Sequence, residues 1–255
     1  MDVAIEITAP LARVTVHRPE ARNAMTFAAY QALYDACETL DADPAVRVVI
    51  VQGGGGSFIA GTDIREFLTL RTADDALAYE QRIGAVADRV ERMTKTTIAA
   101  IEGAAVGGGL TIALACDLRY AASNARLGVP IARTLGNCLS MASTARLIET
   151  IGPARARDLL LTARLVGADE AHAIGLVNGV VPPEALERRV NEVAEGIAGL
   201  APLTVEVSKE AIRRTVAPRR TAEGDDLIVR CYTSEDFRGA VQAFLEKRPP
   251  LWTGR

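Results

Sequence analysis

Residues 3–7 and 12–17 alternate apolar and polar side chains with a period of two around the short "TAPL", which predicts a β-hairpin. The rhythm then changes. Thr26 stands ahead of a stretch with helical spacing and predicts a capped helix running to about Leu40. "RVVIVQ" at 47–52 and "TIAAIEG" at 97–103 are short apolar runs of buried-strand character, and "DLRYAAS" at 117–123 reads as another strand. Between the first two runs lie the flexible "GGGGS" at 53–57 and an apolar loop expected over 64–90. From Ser140 onward the pattern predicts helices over 140–151, 155–163, 168–174, 184–199, 203–216 and 221–247, the last with a break. Strands mixed with helices, followed by helices alone, imply an α/β fold: a twisted sheet core over 1–195 and a helical region over 196–255.

Composition narrows the function. The 255 residues, 49% hydrophobic and 24% charged, suffice for one sizeable core. A net charge of −3 argues against general nucleic-acid binding, which needs a basic footprint. Cys37, Cys116, Cys138 and Cys231 are far apart without a CxxC pair, as expected of reduced thiols rather than a disulfide framework or zinc site. The two histidines, His17 and His172, form no metal motif, and the glycines lack the GxGxxG spacing of a dinucleotide site. The start carries no signal-peptide pattern, and the longest apolar run, Gly103–Cys116, is too short to span a membrane. The expectation is a cytoplasmic protein with no membrane partner and no cofactor.

Two stretches carry candidate chemistry. "SFIAGTDI" at 57–64 and "GAAVGGGLTIA" at 103–113 each follow a buried strand and place small residues where the chain turns into a helix. A glycine there lets backbone N–H groups approach a ligand closely, and the orphan amides of a helix start favour negative charge. Two such turns could offer one donor each to a single carbonyl oxygen, an oxyanion hole. Tight packing of helix on sheet is the other reading of the glycines.

Taken together, "HRPEARNAM", "VRVVIVQGGGGSFIAGTDIREF", "AAIEGAAVGGGLTIALACDLRYAASNARLGVP", "ARDLLLTARLVGADEAHAIGLVNGVVP" and "AFLEKR" resemble the crotonase superfamily, the enoyl-CoA hydratase/isomerase family, nearly end to end. The resemblance implies a crotonase-like spiral core of ββα units, a C-terminal trimerisation or lid region, and a homotrimer or homohexamer. It also implies an acyl-CoA substrate, with coenzyme A entering as part of it. By the same resemblance Thr62 and Gly108 supply the oxyanion-hole amides. Ala60, Gly61 and Ile64 border the coenzyme A and acyl site, with Ile131 across from them. Arg65 and Lys247 would reach the phosphates, and Asp63 would brace its turn. A further basic position of the family falls on Gly56. Within the 64–90 segment, Phe67, Leu68, Leu70, Leu77 and Tyr79 would line or cover the acyl chain, with Tyr232 and Glu235 as outside candidates for substrate contact.

The departures are as informative. The two glutamates that family hydratases use fall on Thr111 and Ile131, so conventional hydration is expected to be weak. No Asp or Glu lies between Asp117 and Glu149 to replace them. The polar candidates left are Thr111, Asn137, Cys138 and Ser140. Asn137 could orient water or a carbonyl. Cys138, near a predicted helix start, is expected to have a lowered pKa, unless it is simply a small buried residue. Ser140 also reads as a helix cap, and Thr111 as a helix residue bonded one turn back. Isomerisation, decarboxylation or thioester hydrolysis then fit better than hydration, with a silent acyl-CoA-binding protein as the alternative.

Overall fold

In the computed structural model, which describes residues 2–216 and 224–255, the opening alternation folds as the antiparallel hairpin β1 (Val3–Thr8) and β2 (Leu11–Val16), with Val3 opposite Val16. Helix α1 (Phe27–Ala42) follows, and the Thr26 hydroxyl accepts from the Ala29 amide at 3.1 Å as its cap. Next come β3 (Val48–Gly53), α2 (Ala73–Arg92), β4 (Thr96–Ile101), β5 (Ala104–Val106) and α3 (Gly108–Ala115). The chain continues through β6 (Leu118–Ala122), β7 (Arg126–Gly128), α4 (Ile131–Thr134), α5 (Met141–Thr162), β8 (Leu165–Gly167), α6 (Ala168–Ala173) and β9 (Gly179–Val181). Four helices complete the described residues: α7 (Leu186–Ala198), α8 (Pro202–Val216), α9 (Asp225–Tyr232) and α10 (Glu235–Leu245).

The main sheet has the order β1-β2-β3-β4-β6-β9 and is parallel beyond the first hairpin; a second sheet, β5-β7-β8, lies apart from it. The unbroken apolar runs follow from this layering. Val49 and Val51 of β3, with Ala99 and Ile101 of β4, face the large core shared with α1, α2 and α3. Their neighbours Val48, Ile50, Ile98 and Ala100 face the opposite way, onto Leu186, Val190 and Ala194 of α7. A parallel sheet covered on both faces favours apolar side chains at successive positions.

Several expectations need correction. The segment 64–90 is not a loop: Ile64–Thr69 is a 3₁₀ turn, and α2 begins at a capping box in which Thr72 and Asp75 each accept from the other's amide. Its apolar residues recur at helical spacing, with Ala76, Tyr79, Ile83, Val86, Ala87 and Val90 buried. The short strands β5, β7, β8 and β9 were not legible, being too short to show a period. The break expected between 151 and 155 is real. Gly152 (φ 77°, ψ 161°) and Pro153 interrupt α5 there. The helix expected over 221–247 is two, α9 and α10, broken at Thr233–Ser234; residues 221–223 lie outside the described residues. Ile228, Tyr232, Phe237 and Val241 of these helices belong to the same core as the sheet, and α9 packs on α2.

Candidate active site

One short backbone bridge, at Ile59 and Ala105, joins the two glycine turns, and a second, at Met25 and Thr62, holds the first turn from its other side. Ile59 accepts from the Val106 amide at 3.1 Å and donates to the Ala104 carbonyl at 2.9 Å. Met25 takes both neighbours of Thr62, donating to Gly61 O and accepting from Asp63 N at 2.8 Å each, which turns the Thr62 amide away from that pairing. A Cβ on Gly61 would lie 3.1 Å from Val106 O and 3.8 Å from the Gly108 amide nitrogen, so the turns are in contact. Gly108 opens α3, where no carbonyl one turn back accepts from its N–H. The preceding Gly107 has φ 55° and ψ −119°, a conformation that an L side chain resists. Ala60, Gly61, Thr62 and Gly108, named separately from sequence, thus sit side by side.

The loop is braced from behind. Asn23, fully buried at φ 58°, donates to Gly54 O and Ser57 O and accepts from Arg18 N. Arg18 in turn bonds Ala24 O and, at 3.1 Å, Asp63. The Arg65 guanidinium on Asp63, with the Arg65 amide and Arg18, holds that carboxyl down at about 2, as befits a bracing residue.

Below the turns runs a chain of hydroxyls. Tyr30 and Thr62 share a hydrogen bond of 2.9 Å, and Thr62 and Tyr79 another of 2.8 Å. The Tyr79 and Tyr232 rings pack with centroids 5.6 Å apart, and the Tyr232 hydroxyl donates to Glu80 at 2.6 Å while accepting from Asn137 Nδ2 at 2.9 Å. Phe67 and Phe237 wrap the cluster with edge contacts, their centroids 5.6 Å apart. On its outer side an open groove is lined by Phe67, Leu68, Leu70, Phe237 and Val241.

Burial pushes the Glu80 carboxyl up to about 7, with the Tyr232 hydrogen bond opposing the rise. A carboxyl whose folded pKa is raised contributes stability in acid that is lost as the pH climbs through the folded value. Between about pH 4.5 and 7, urea unfolding of the wild type is therefore expected to lose stability relative to Glu80→Gln, at most on the order of 3 kcal/mol. Identical pH dependence of the two proteins would show that Glu80 titrates normally.

The sequence model of the enoyl-CoA hydratase/isomerase family matches residues 6–255. The chain is 38% identical to the crotonyl-CoA hydratase of Syntrophomonas wolfei over 97% of its own length and 96% of the relative's. It belongs to the enoyl-CoA hydratase/isomerase family, the crotonase superfamily. Among solved structures of that superfamily, an enoyl-CoA hydratase/carnithine racemase from Magnetospirillum magneticum matches at TM-score 0.83 and 36% identity, covering 100% of this chain and 96% of that one. A methylmalonyl-CoA decarboxylase in complex with 2-nitronate-propionyl-CoA matches at TM-score 0.90 and 27% identity, covering 100% and 99%.

The two positions where the family's glutamates were expected hold Thr111 and Ile131. Thr111 is buried in α3, its hydroxyl donating to Gly107 O at 3.4 Å, one turn back. Ile131 opens α4 with its side chain packed against the core. Cys138 does not have the lowered pKa expected of it. It lies two residues ahead of the Ser140 cap, and its hydrogen bond to Cys231, together with burial, pushes its thiol up. Ser140 is the cap of α5, accepting from the Ser143 amide at 3.3 Å. Asn137 belongs to the hydroxyl cluster, with Oδ1 buried and unpartnered. Tyr232 does so too, whereas Glu235 faces out beside Arg255.

The expected coenzyme A contacts lie apart from the cluster. Ile64 packs on the core and the Arg65 side chain is 68% exposed. Lys247 is exposed beyond α10, and Gly56 has φ 79° with Glu102 Oε1 3.7 Å from where a Cβ would stand. Both histidines are exposed, and among the described residues no group of three or more His, Cys, Asp or Glu gathers as a metal site. No described helix is long and apolar enough to cross a membrane. Glu80 is the residue that sequence reasoning missed. Its signal was the helical period of α2, which puts Glu80 beside Tyr79 on the inward side.

Proposed function

We propose that this family member activates an acyl-CoA thioester by holding its carbonyl oxygen on the Thr62 and Gly108 amides, and that its reaction proceeds through a thioester enolate with a single proton to manage. Isomerisation of a double bond and decarboxylation share that intermediate. The contact between the two glycine turns carries this reading, because each offers an amide outside the neighbouring backbone pairing. The missing carboxylates at Thr111 and Ile131 count against conventional hydration, which needs water and the α-carbon to be served together. The likeness over the whole chain to a methylmalonyl-CoA decarboxylase supports the same class. Hydrolysis through Cys138 loses support, since a thiol with a raised pKa is a poor nucleophile at neutral pH. Arg65, released from Asp63, and Lys247 are the proposed phosphate contacts. The exposed Leu203, Val207 and Ile212 of α8 favour burial against another subunit in a trimer or hexamer.

The test is a panel of crotonyl-CoA, but-3-enoyl-CoA and methylmalonyl-CoA with products followed by mass spectrometry. Crotonyl-CoA hydration should fall far below an ordinary turnover of about 10 s⁻¹, while one of the enolate-forming substrates is converted. Hydration at the ordinary rate would overturn the proposal. The second reading, a silent acyl-CoA-binding protein, is favoured by the two empty carboxylate positions; it predicts binding of all three esters with no product.

A further inference from the structure

We infer that Glu80, carried by α2 to the Thr62 side of the glycine turns and held by the Tyr232 hydroxyl, is the acid–base residue of the reaction, with Tyr232 and Asn137 as its positioning residues. The inference rests on the enolate reading above and names the group that moves its proton.

Three observations converge on this carboxyl. First, connectivity: α2 follows the Thr62 turn after the 3₁₀ segment Ile64–Thr69 and packs on α3, the helix that Gly108 opens. Glu80 is therefore fastened to both halves of the proposed oxyanion site. Second, packing: Tyr79, hydrogen-bonded to Thr62, lays its ring against that of Tyr232 with centroids 5.6 Å apart, and the Tyr232 hydroxyl donates to Glu80. Third, an open valence: Asn137 Oδ1 is buried without a partner although its Nδ2 is spent on Tyr232. A buried acceptor left open beside a carboxyl implies a donor from outside the chain, such as a water or a substrate group.

The local electrostatics suit proton transfer in both directions. The titratable groups that face Glu80 are Tyr30 from α1, Tyr79 from its own helix, Tyr232 from α9 and Cys138 from the loop ahead of α5. Burial and neighbouring charge push all four up, so all are neutral near pH 7. Among the described residues none of the ion pairs involves Glu80. A carboxyl in such surroundings is part ionised near neutrality, able to take a proton and to return it.

With but-3-enoyl-CoA the step balances without a co-reactant. The ionised Glu80 takes a proton from C2, and the C–H electron pair becomes the enolate whose oxygen rests on the Thr62 and Gly108 amides. The protonated Glu80 then gives that proton to C4, the electrons re-form the thioester carbonyl, and crotonyl-CoA results.

The experiment uses the full chain with but-3-enoyl-CoA in D₂O, following both isomerisation and deuterium incorporation. Glu80→Gln is expected to lower the rate about 100-fold or more with the Kd for the ester unchanged. The wild-type rate should rise along a limb near pH 7 that Glu80→Gln abolishes and Glu80→Asp partly restores. Tyr232→Phe should move the limb to higher pH, because its hydroxyl holds the Glu80 carboxyl down. A merely structural Glu80 would leave the limb in place, and a Glu80→Gln protein that keeps rate and limb overturns the inference alone. Should Glu80→Gln fail to fold, an unshifted limb in Glu80→Asp and Tyr232→Phe overturns it equally. A wild type that binds the ester without product or deuterium overturns this inference, and the enolate reading falls with it if methylmalonyl-CoA is not converted either.

Discussion

Replacing Gly108 by proline in a Tyr30→Phe background is expected to slow acyl-CoA turnover about 10²–10³-fold relative to Tyr30→Phe alone, a loss of about 2.7–4 kcal/mol of barrier lowering. The substitution removes one atom that matters, the amide hydrogen. Gly108 occupies the first position of α3, where proline's fixed φ suits a helix and its missing N–H breaks no intrahelical bond. The background change is required because a Cβ at Gly108 would stand 2.5 Å from the Tyr30 hydroxyl oxygen. Removing that hydroxyl also breaks its 2.9 Å hydrogen bond with Thr62, so the Tyr30→Phe protein is the proper reference. Binding should change far less than kcat, since an oxyanion donor tightens on charge that develops only in the transition state. Equal kcat in the two proteins would remove Gly108 from the proposed site.

Gly109→Ala should damage the fold rather than the chemistry. Its Cβ would fall 1.9 Å from Ile59 O and 2.7 Å from the carbonyl carbon, and backbone at that distance cannot rotate away as a side chain would. The same carbonyl accepts the Val106 amide in the bridge that joins the two turns, so relief of the clash separates them. Overpacking of this kind is expected to cost at least about 3 kcal/mol. For a chain of this size that corresponds to a drop in Tm of roughly 6–12 °C. Gly84→Ala, inside α2 with nothing within 4 Å of the added Cβ, is the control and should be neutral or slightly stabilising. A Gly109→Ala protein as stable as the control would show that the turns have slack.

The two substitutions separate roles that the string "GGG" hides. Gly107 supplies a backbone conformation, Gly108 a bare amide beneath Tyr30, and Gly109 room for the Ile59 carbonyl. From sequence the choice between ligand approach and tight packing stayed open; the fold shows the tight packing at Gly109, and ligand approach at Gly108 is what the proline substitution tests.

What was legible in the chain was what short-range physics writes there. The caps at Thr26 and Ser140 and the break at Gly152–Pro153 each depend on a residue and its near neighbours. The buried runs of β3 and β4 announce a sheet covered on both faces. The absence of carboxylates at Thr111 and Ile131, and from Asp117 to Glu149, is also a property of the chain alone. The helix within 64–90 is written in the spacing of its apolar residues, which recur at helical intervals from Ala76 to Val90. Tertiary structure alone decided that Glu80, Asn137 and Tyr232 share one hydrogen-bonded cluster, since they are brought together across 57 and 95 positions of chain by the packing of α2, α9 and the loop before α5. It also decided that Cys138, two residues ahead of the Ser140 cap, meets Cys231. Ionisation answers to burial and to partners in space, and neither is written in the order of residues along a chain.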